Sequence, residues 1–538
     1  MMAPDMRGAA PQSLVLKAGT VGGLVGVYVV AVGVFAAFAA RPVVAQSVSL
    51  GQIMLLSIAL AVGWSAADPR QGRSRRLATA AAAGVLAGLV YAGVLLVARE
   101  AKLQAMFVAL SPAALNTGLF GKAGISALVA AAAIAGLSAL AGGLVRQMPA
   151  PARRTLLAVG VAILIGALLR DLWISFFSNL LGGRWWVSTI YAGNGLSWTG
   201  TAVAVAVGLA WQAFRTLGRR EAGKQRTSLA GLVLLLAAAI LIPYFTNAFV
   251  AQVMLLVGLY ALMGTGLNIE LGLAGLLDLG FVAFFAIGAY VTALLTADSP
   301  LAIAQLSFWE ALPIATLCAA AGGFVFGLPV LRVRGDYLAL ATLGLGEIVR
   351  LLVVSDMSAP FIGGAQGIVG IPRPELAGAP MVSQLSLYYL TLALTCLVAL
   401  AGWRLQHSPI GRAWAAARED EDVAATLGID LVQSKLRAYV LGAAFAGVAG
   451  ALFATTLGSI FPQSFKLDVS INVLALLVVG GLGSLPGVFV GSLILIGLPE
   501  FLREFGEYRY LFYGFLLILV MRVRPQGLWP DPLQARSS

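Results

Sequence analysis

Apolar runs near the length that crosses a bilayer follow one another along almost the whole 538-residue chain. A spanning helix needs roughly 20 consecutive apolar residues. Candidate runs lie near 18–40, 51–67, 77–98, 124–145, 154–174, 197–217, 227–243 and 248–267. They continue near 273–296, 310–331, 337–355, 384–402, 437–457, 470–480, 485–502 and 508–521. The total is about sixteen, and the shorter stretches leave room for re-entrant or broken helices. Only 11% of the residues are charged and 60% are hydrophobic, where a soluble domain carries about 25% charged residues. No water-soluble core hides so much apolar surface, so the solvent is lipid. The predicted fold class is all-α, a polytopic bundle of membrane helices whose backbones satisfy their own hydrogen bonds. Cytosolic enzymes, nucleic-acid binders and disordered tails are excluded.

The formal charge of +12 reads as topology. With the N-terminus inside and the sides alternating, about two dozen of the 35 Lys+Arg collect on one side, the bias expected of cytoplasmic loops. Both termini are then cytoplasmic, and the excess charge calls for no nucleic acid. The first apolar run is longer than a signal-peptide core and reads as a retained helix. Cys318 and Cys396 sit in apolar runs, and His407 is the single histidine, so neither a disulfide framework nor a metal site is expected. Gly121-Lys122-Ala123 and Gly223-Lys224-Gln225 lack the spacing and the Ser/Thr of a phosphate-binding loop. Protease and lipase motifs are missing as well. The chain is expected to bind no cofactor and not to be an enzyme; any ATP is used by another chain.

The polar stretch 218–226, Gly-Arg-Arg-Glu-Ala-Gly-Lys-Gln-Arg, is the best domain boundary. Upstream lies a motif-poor region, 1–217, read as accessory. Downstream, glycines and charges fall into clusters. The charged loop 403–436 is the most informative. Ser408-Pro409 starts a helix there, with proline in its first turn, and Gly428 ends it. Ile410, Trp414, Ala417 and Val423 form a partial apolar stripe opposite Arg412, Arg418, Glu419, Asp420, Glu421 and Asp422. Spacing alone leaves a partner groove and a solvated loop even. Glu347 and Arg350, at i and i+3 inside a span, read as a salt bridge on one helix face; a relay or ligand role is the alternative for such charges. Asp278 either caps a broken helix or lines a pathway.

Several blocks in order carry a resemblance: GLNIELGLAGLLDLGFVAFFAIGAY (266–290), RGDYLALATLGLGEIVRLL (334–352), GGAQGIVGIP (363–372), SPIGRAWAAAREDEDVAATLGID (408–430), VVGGLGSLPGVFVG (478–491) and RPQGLWP (524–530). From about 227 to 526 the chain resembles the integral-membrane permease of branched-chain amino acid ABC transporters, LivM type. The resemblance implies a permease core over 227–526, a tail at 527–538 and a place in the bacterial inner membrane. It also implies four kinds of partner: a second homologous permease, two ATP-binding cassette subunits, a periplasmic substrate-binding protein and the lipid bilayer. The 408–430 block resembles the segment that docks on the ATPase, which assigns coupling to Ile410, Gly411, Arg412, Trp414, Arg418, Glu419, Asp420 and Gly428. Discontinuous helices often supply ligands in transporters, which points to Asn268, Gly272, Gly275, Asp278 and Gly280, and to Gly363, Gly364 and Gly367 in an outer loop. Permeases for urea or short amides look alike in these motifs, and an ion-coupled carrier is the more distant alternative. The resemblance leaves residues 1–217 unexplained.

Overall fold

A computed structural model describes residues 11–530 apart from 40, 45–47, 69–70, 102–111, 182, 222–238, 331–332, 334–335, 377, 504–505 and 507. Helix occupies all but one of the expected apolar runs; 227–243 lies mostly outside the described residues. Among the described residues nine helices are long and apolar enough to cross a bilayer. Leu50–Ala66 and Val282–Thr296 are shorter apolar helices. Two departures from the sequence expectation matter. The runs at 470–480 and 485–502 are two arms of one bent pair, Leu467–Gly480 and Leu485–Phe501, folded by 117°. The run at 273–296 is no continuous helix: a π-helical turn, Asn268–Leu273, and an irregular stretch, 274–281, precede Val282–Thr296. Counting apolar runs therefore does not count crossings.

The chain divides into two compact units, Met1–Leu232 and Val233–Ser538. The helix Trp198–Glu221 runs through the first residues of the expected 218–226 linker, and 222–226 lie outside the described residues. So does 531–538, most of the expected tail.

In the first unit, helices meet where a side chain is missing. A Cβ on Gly63 would lie 1.8 Å from the Ala139 carbonyl oxygen, and one on Gly88 would lie 2.5 Å from that of Ala131. Four short strands, Pro42–Val44, Val48–Ser49, Tyr191–Ala192 and Gly195–Leu196, form the unit's small sheet.

The second unit is built around the helix Leu431–Leu457. Lipid tails are as apolar as leucine, so helices gain little by merely presenting apolar faces, and small residues that permit backbone contact decide the packing. Gly288 meets Gly447 and Gly450 meets Phe285 so closely that a Cβ would stand 2.3 Å and 2.1 Å from the facing carbonyl oxygens. Ala443, Ala446, Ala449, Ala451 and Ala454 are fully buried along the same helix. Substituting valine for Gly450 is expected to force these helices apart and sharply reduce the yield of monodisperse protein in detergent. Leu397→Val, at a 64% exposed position, should leave that yield unchanged; equal yields for both variants would refute the backbone-contact account.

Candidate functional site

The charged loop folds as two helices, Pro409–Glu419 and Glu421–Thr426, where the sequence suggested one helix reaching Gly428. The Ser408 hydroxyl accepts from the Gly411 amide at 3.3 Å, capping the first helix. Asp420 breaks the run: in extended backbone, its carboxylate accepts from the amides of Asp422 and Val423 at 2.9 and 3.0 Å. Gly428, at φ +83°, then turns the chain away, a conformation glycine adopts without steric penalty.

Of the apolar stripe only Val423 faces outward. Trp414 is fully buried, and its indole Nε1 donates to the Ser434 carbonyl at 2.8 Å. Gly411 and Ala417 are buried beside it and Ile410 packs against the core. These residues seat the segment on its own bundle, so Trp414 is no contact for a partner's groove. The Lys435 ammonium holds Glu421 at 2.6 Å. What remains outward is Val423 of the stripe together with Leu427 and Val432, at 54%, 74% and 60% exposure, among the exposed Arg412, Glu419, Asp420 and Asp422. Leu427 and Val432 flank Gly428, off the helical stripe, and helical periodicity therefore passed over them.

Arg418 joins this segment to the broken span. Its guanidinium donates to the Gly272 carbonyl oxygen, and its side chain lies on Gly275, where an added Cβ would sit 3.0 Å from the Arg418 Cγ. Around the break, side chains satisfy backbone groups that helix would otherwise satisfy. The Gly483 amide donates to Asn268 Oδ1 at 2.9 Å, and the Gly280 amide donates to Asp278 Oδ1 at 2.7 Å. Leu279 donates to Thr342 Oγ1 and Val282 to Ser470 Oγ, both at 3.0 Å. Asp278 thus caps its own turn. Gly272 and Gly280 are not open ligands as expected: Gly272 is engaged by Arg418, and Gly280 packs on the Thr342 carbonyl, which an added Cβ would approach to 2.1 Å.

The sequence reading missed Glu270, Thr342, Tyr439 and Ser470. Glu270 was detectable as a carboxylate inside an apolar run, a default sign of function. It is fully buried, and Gly442 makes its space: a Cβ there would lie 1.9 Å from Glu270 Oε1.

Glu347 and Arg350 pair on the helix Asp336–Val354, with Arg350 Nε at 3.0 Å from both carboxylate oxygens. Both side chains remain partly exposed, 43% and 27%. Arg350 borders a narrow crevice walled by Val282, Ala286, Val349, Val353 and Phe465. Gly363, Gly364 and Gly367, all at positive φ, belong elsewhere. They turn the chain into the ladder in which Ile368–Val369 pairs with Ser459–Ile460. Thr342 meets the broken span while Gly364 lies against Ser355, so the two glycine groups are roughly 20 Å apart at 1.5 Å per helical residue. They do not form one site. Among the described residues no group of three or more His, Cys, Asp or Glu gathers to hold a metal.

The arrangement is a broken membrane helix, several of whose backbone groups are satisfied by side chains, tied by Arg418 to a surface segment bearing a mixed apolar and acidic face. Residues 249–521 match the family model described as branched-chain amino acid transport system / permease component. The chain is 42% identical over 322 residues to the high-affinity branched-chain amino acid transport system permease protein LivM of Escherichia coli, covering 56% of this chain and 74% of that protein. It is 28% identical over 288 residues to LivH of the same organism, covering 51% and 92%. A probable LivM of Methanocaldococcus jannaschii is 24% identical over 328 residues, covering 52% and 93%. No solved structure matches the chain significantly. With the family model spanning the broken helix, the bent pair and the surface segment alike, the chain belongs to the branched-chain amino acid transport permease family.

Proposed function

We propose that this chain is the permease subunit of an ATP-driven importer of branched-chain amino acids in the bacterial inner membrane, with both termini in the cytoplasm. It forms the pathway together with a second, homologous permease of the LivH kind. Two ATP-binding cassette subunits supply the energy and a periplasmic binding protein delivers the cargo. The chain itself carries no ATPase site and binds no cofactor. The observation that carries this reading is the Arg418–Gly272 link, because it connects the surface segment to the break in the span. A partner that moves the Pro409–Glu419 helix moves the π-helical turn with it. The partner engages the outward set, Val423, Leu427 and Val432, with the acidic residues around them.

The test is uptake of labelled leucine by proteoliposomes holding the full complex. Val423→Asp combined with Leu427→Asp is expected to weaken ATPase association and lower uptake at least about tenfold, because each buried apolar contact contributes roughly 1.5–3 kcal/mol. Unchanged association would overturn the docking face. Transport of urea or a short amide in place of leucine would overturn the cargo.

A further inference from the structure

We infer that Glu270 and Asp278 form the subsite that receives the ammonium group of the transported amino acid, an assignment that rests on the importer reading above. Glu270 is 0% and Asp278 1% exposed. The two carboxyl groups lie within hydrogen-bonding reach of each other and Thr342 borders Asp278, yet among the described residues no donor pairs with either oxygen of Glu270 or with Oδ2 of Asp278. Asp278 Oδ1 is taken by the Gly280 amide. Two facing carboxylates without donors are complete only when a cation, either a proton or an ammonium group, lies between them. Tyr439 adds an independent sign. It is 1% exposed, its hydroxyl has no partner among the described residues, and it lies near both carboxyls. It also stands three residues before Gly442, on the helix face that makes room for Glu270. Buried polar groups are almost always satisfied, so an unpartnered cluster of three marks a place left for a ligand.

An alkylammonium offers three N–H donors. Glu270 Oε1, Glu270 Oε2, Asp278 Oδ2 and the Tyr439 hydroxyl are the acceptors standing open. Gly442 already crowds Glu270, where a Cβ would lie 1.9 Å from Oε1, so cargo needs the site to widen; without cargo a proton shared by the carboxyls would take the place of the ammonium. The apolar crevice of Val282, Ala286, Val349, Val353 and Phe465 begins beside the break. Its residue Gly346 approaches Gly280, where a Cβ would lie 3.1 Å from the Gly280 Cα. The crevice encloses only about 10 Å³, so it takes an aliphatic side chain only on widening; residues 279–281 join it to Asp278. Those same residues follow the turn held by Arg418, so displacement of the docking segment would join the two parts of the site.

The experiment uses the reconstituted complex. Glu270→Gln and Asp278→Asn are each expected to lower leucine uptake at least about tenfold, as expected from losing one charge-assisted hydrogen bond, while the partner subunits still hydrolyse ATP. In infrared difference spectra of the wild-type complex, leucine and isopentylamine should perturb a protonated-carboxyl band that 4-methylpentanoate leaves alone, and Glu270→Gln should abolish it. Wild-type uptake in both variants, a band that responds to 4-methylpentanoate, or no response to the amines would overturn the assignment. If Glu270→Gln fails to assemble, Tyr439→Phe removes one acceptor and keeps the ring; reduced uptake supports the site and full uptake overturns it. A wild-type complex that carries no leucine would sink the importer reading alone, because the response to isopentylamine still decides whether the pair binds an ammonium group.

Discussion

Replacing Trp414 with alanine is expected to cost the fold about 3–5 kcal/mol, the range for removing a fully buried tryptophan. The loss has two parts. The cavity lies where the helix Pro409–Glu419 meets the helix Leu431–Leu457, and the Ser434 carbonyl loses the indole donor at 2.8 Å. Trp414→Phe separates them: it retains most of the apolar volume and should lose about 0.5–1.5 kcal/mol, the net contribution of one hydrogen bond, because the Ser434 carbonyl stays in the ladder of its own helix. Thermal unfolding in detergent reads the stability, and co-purification with the ATPase subunits reads the docking. Both should fall for alanine, because the helix that presents the outward face has lost its seat. Leu427→Ala, at 74% exposure, should lower co-purification without changing the melting temperature. A Trp414→Ala protein that melts like wild type would show that the segment is held by something other than this side chain.

Removing the Arg418 side chain is expected to separate ATP hydrolysis from transport. Arg418→Ala takes away the donor to Gly272 and the side chain covering Gly275, contacts by which the Pro409–Glu419 helix holds the broken span. The complex should still assemble, because the outward face and the Trp414 seat are untouched. Leucine uptake should fall at least about tenfold, the consequence of losing a charged hydrogen bond worth roughly 1.5–3 kcal/mol, so more ATP is hydrolysed per leucine carried. Arg418→Lys keeps the charge but not the planar fork, and is expected to restore only part of the coupling. Wild-type ATP-to-leucine stoichiometry in Arg418→Ala would place the mechanical link elsewhere.

Length and hydropathy alone determined the membrane class and where the helices lie, because a bilayer demands long apolar runs whatever they pack against. Local chemistry was legible too: Ser408-Pro409 starts a helix and Gly428 stops one, since caps depend on near neighbours in sequence. Glu347 and Arg350 pair because helix geometry places i and i+3 together. What the sequence left open was the direction each face points. In water a buried stripe is apolar and an exposed one polar, so periodicity reveals the core. In lipid both sides of a helix are apolar, and that contrast disappears. At the surface the clue misled: the apolar stripe of 410–417 covers the chain's own bundle, and the outward set surrounds Gly428. The break at 274–281 was hidden inside an apolar run because it is held by distant donors and acceptors, Thr342, Arg418, Ser470 and Gly483. Only the packed structure brings Glu270 to Asp278 and sets Glu270 against Gly442, since that meeting depends on helices close enough to exclude a single methyl group.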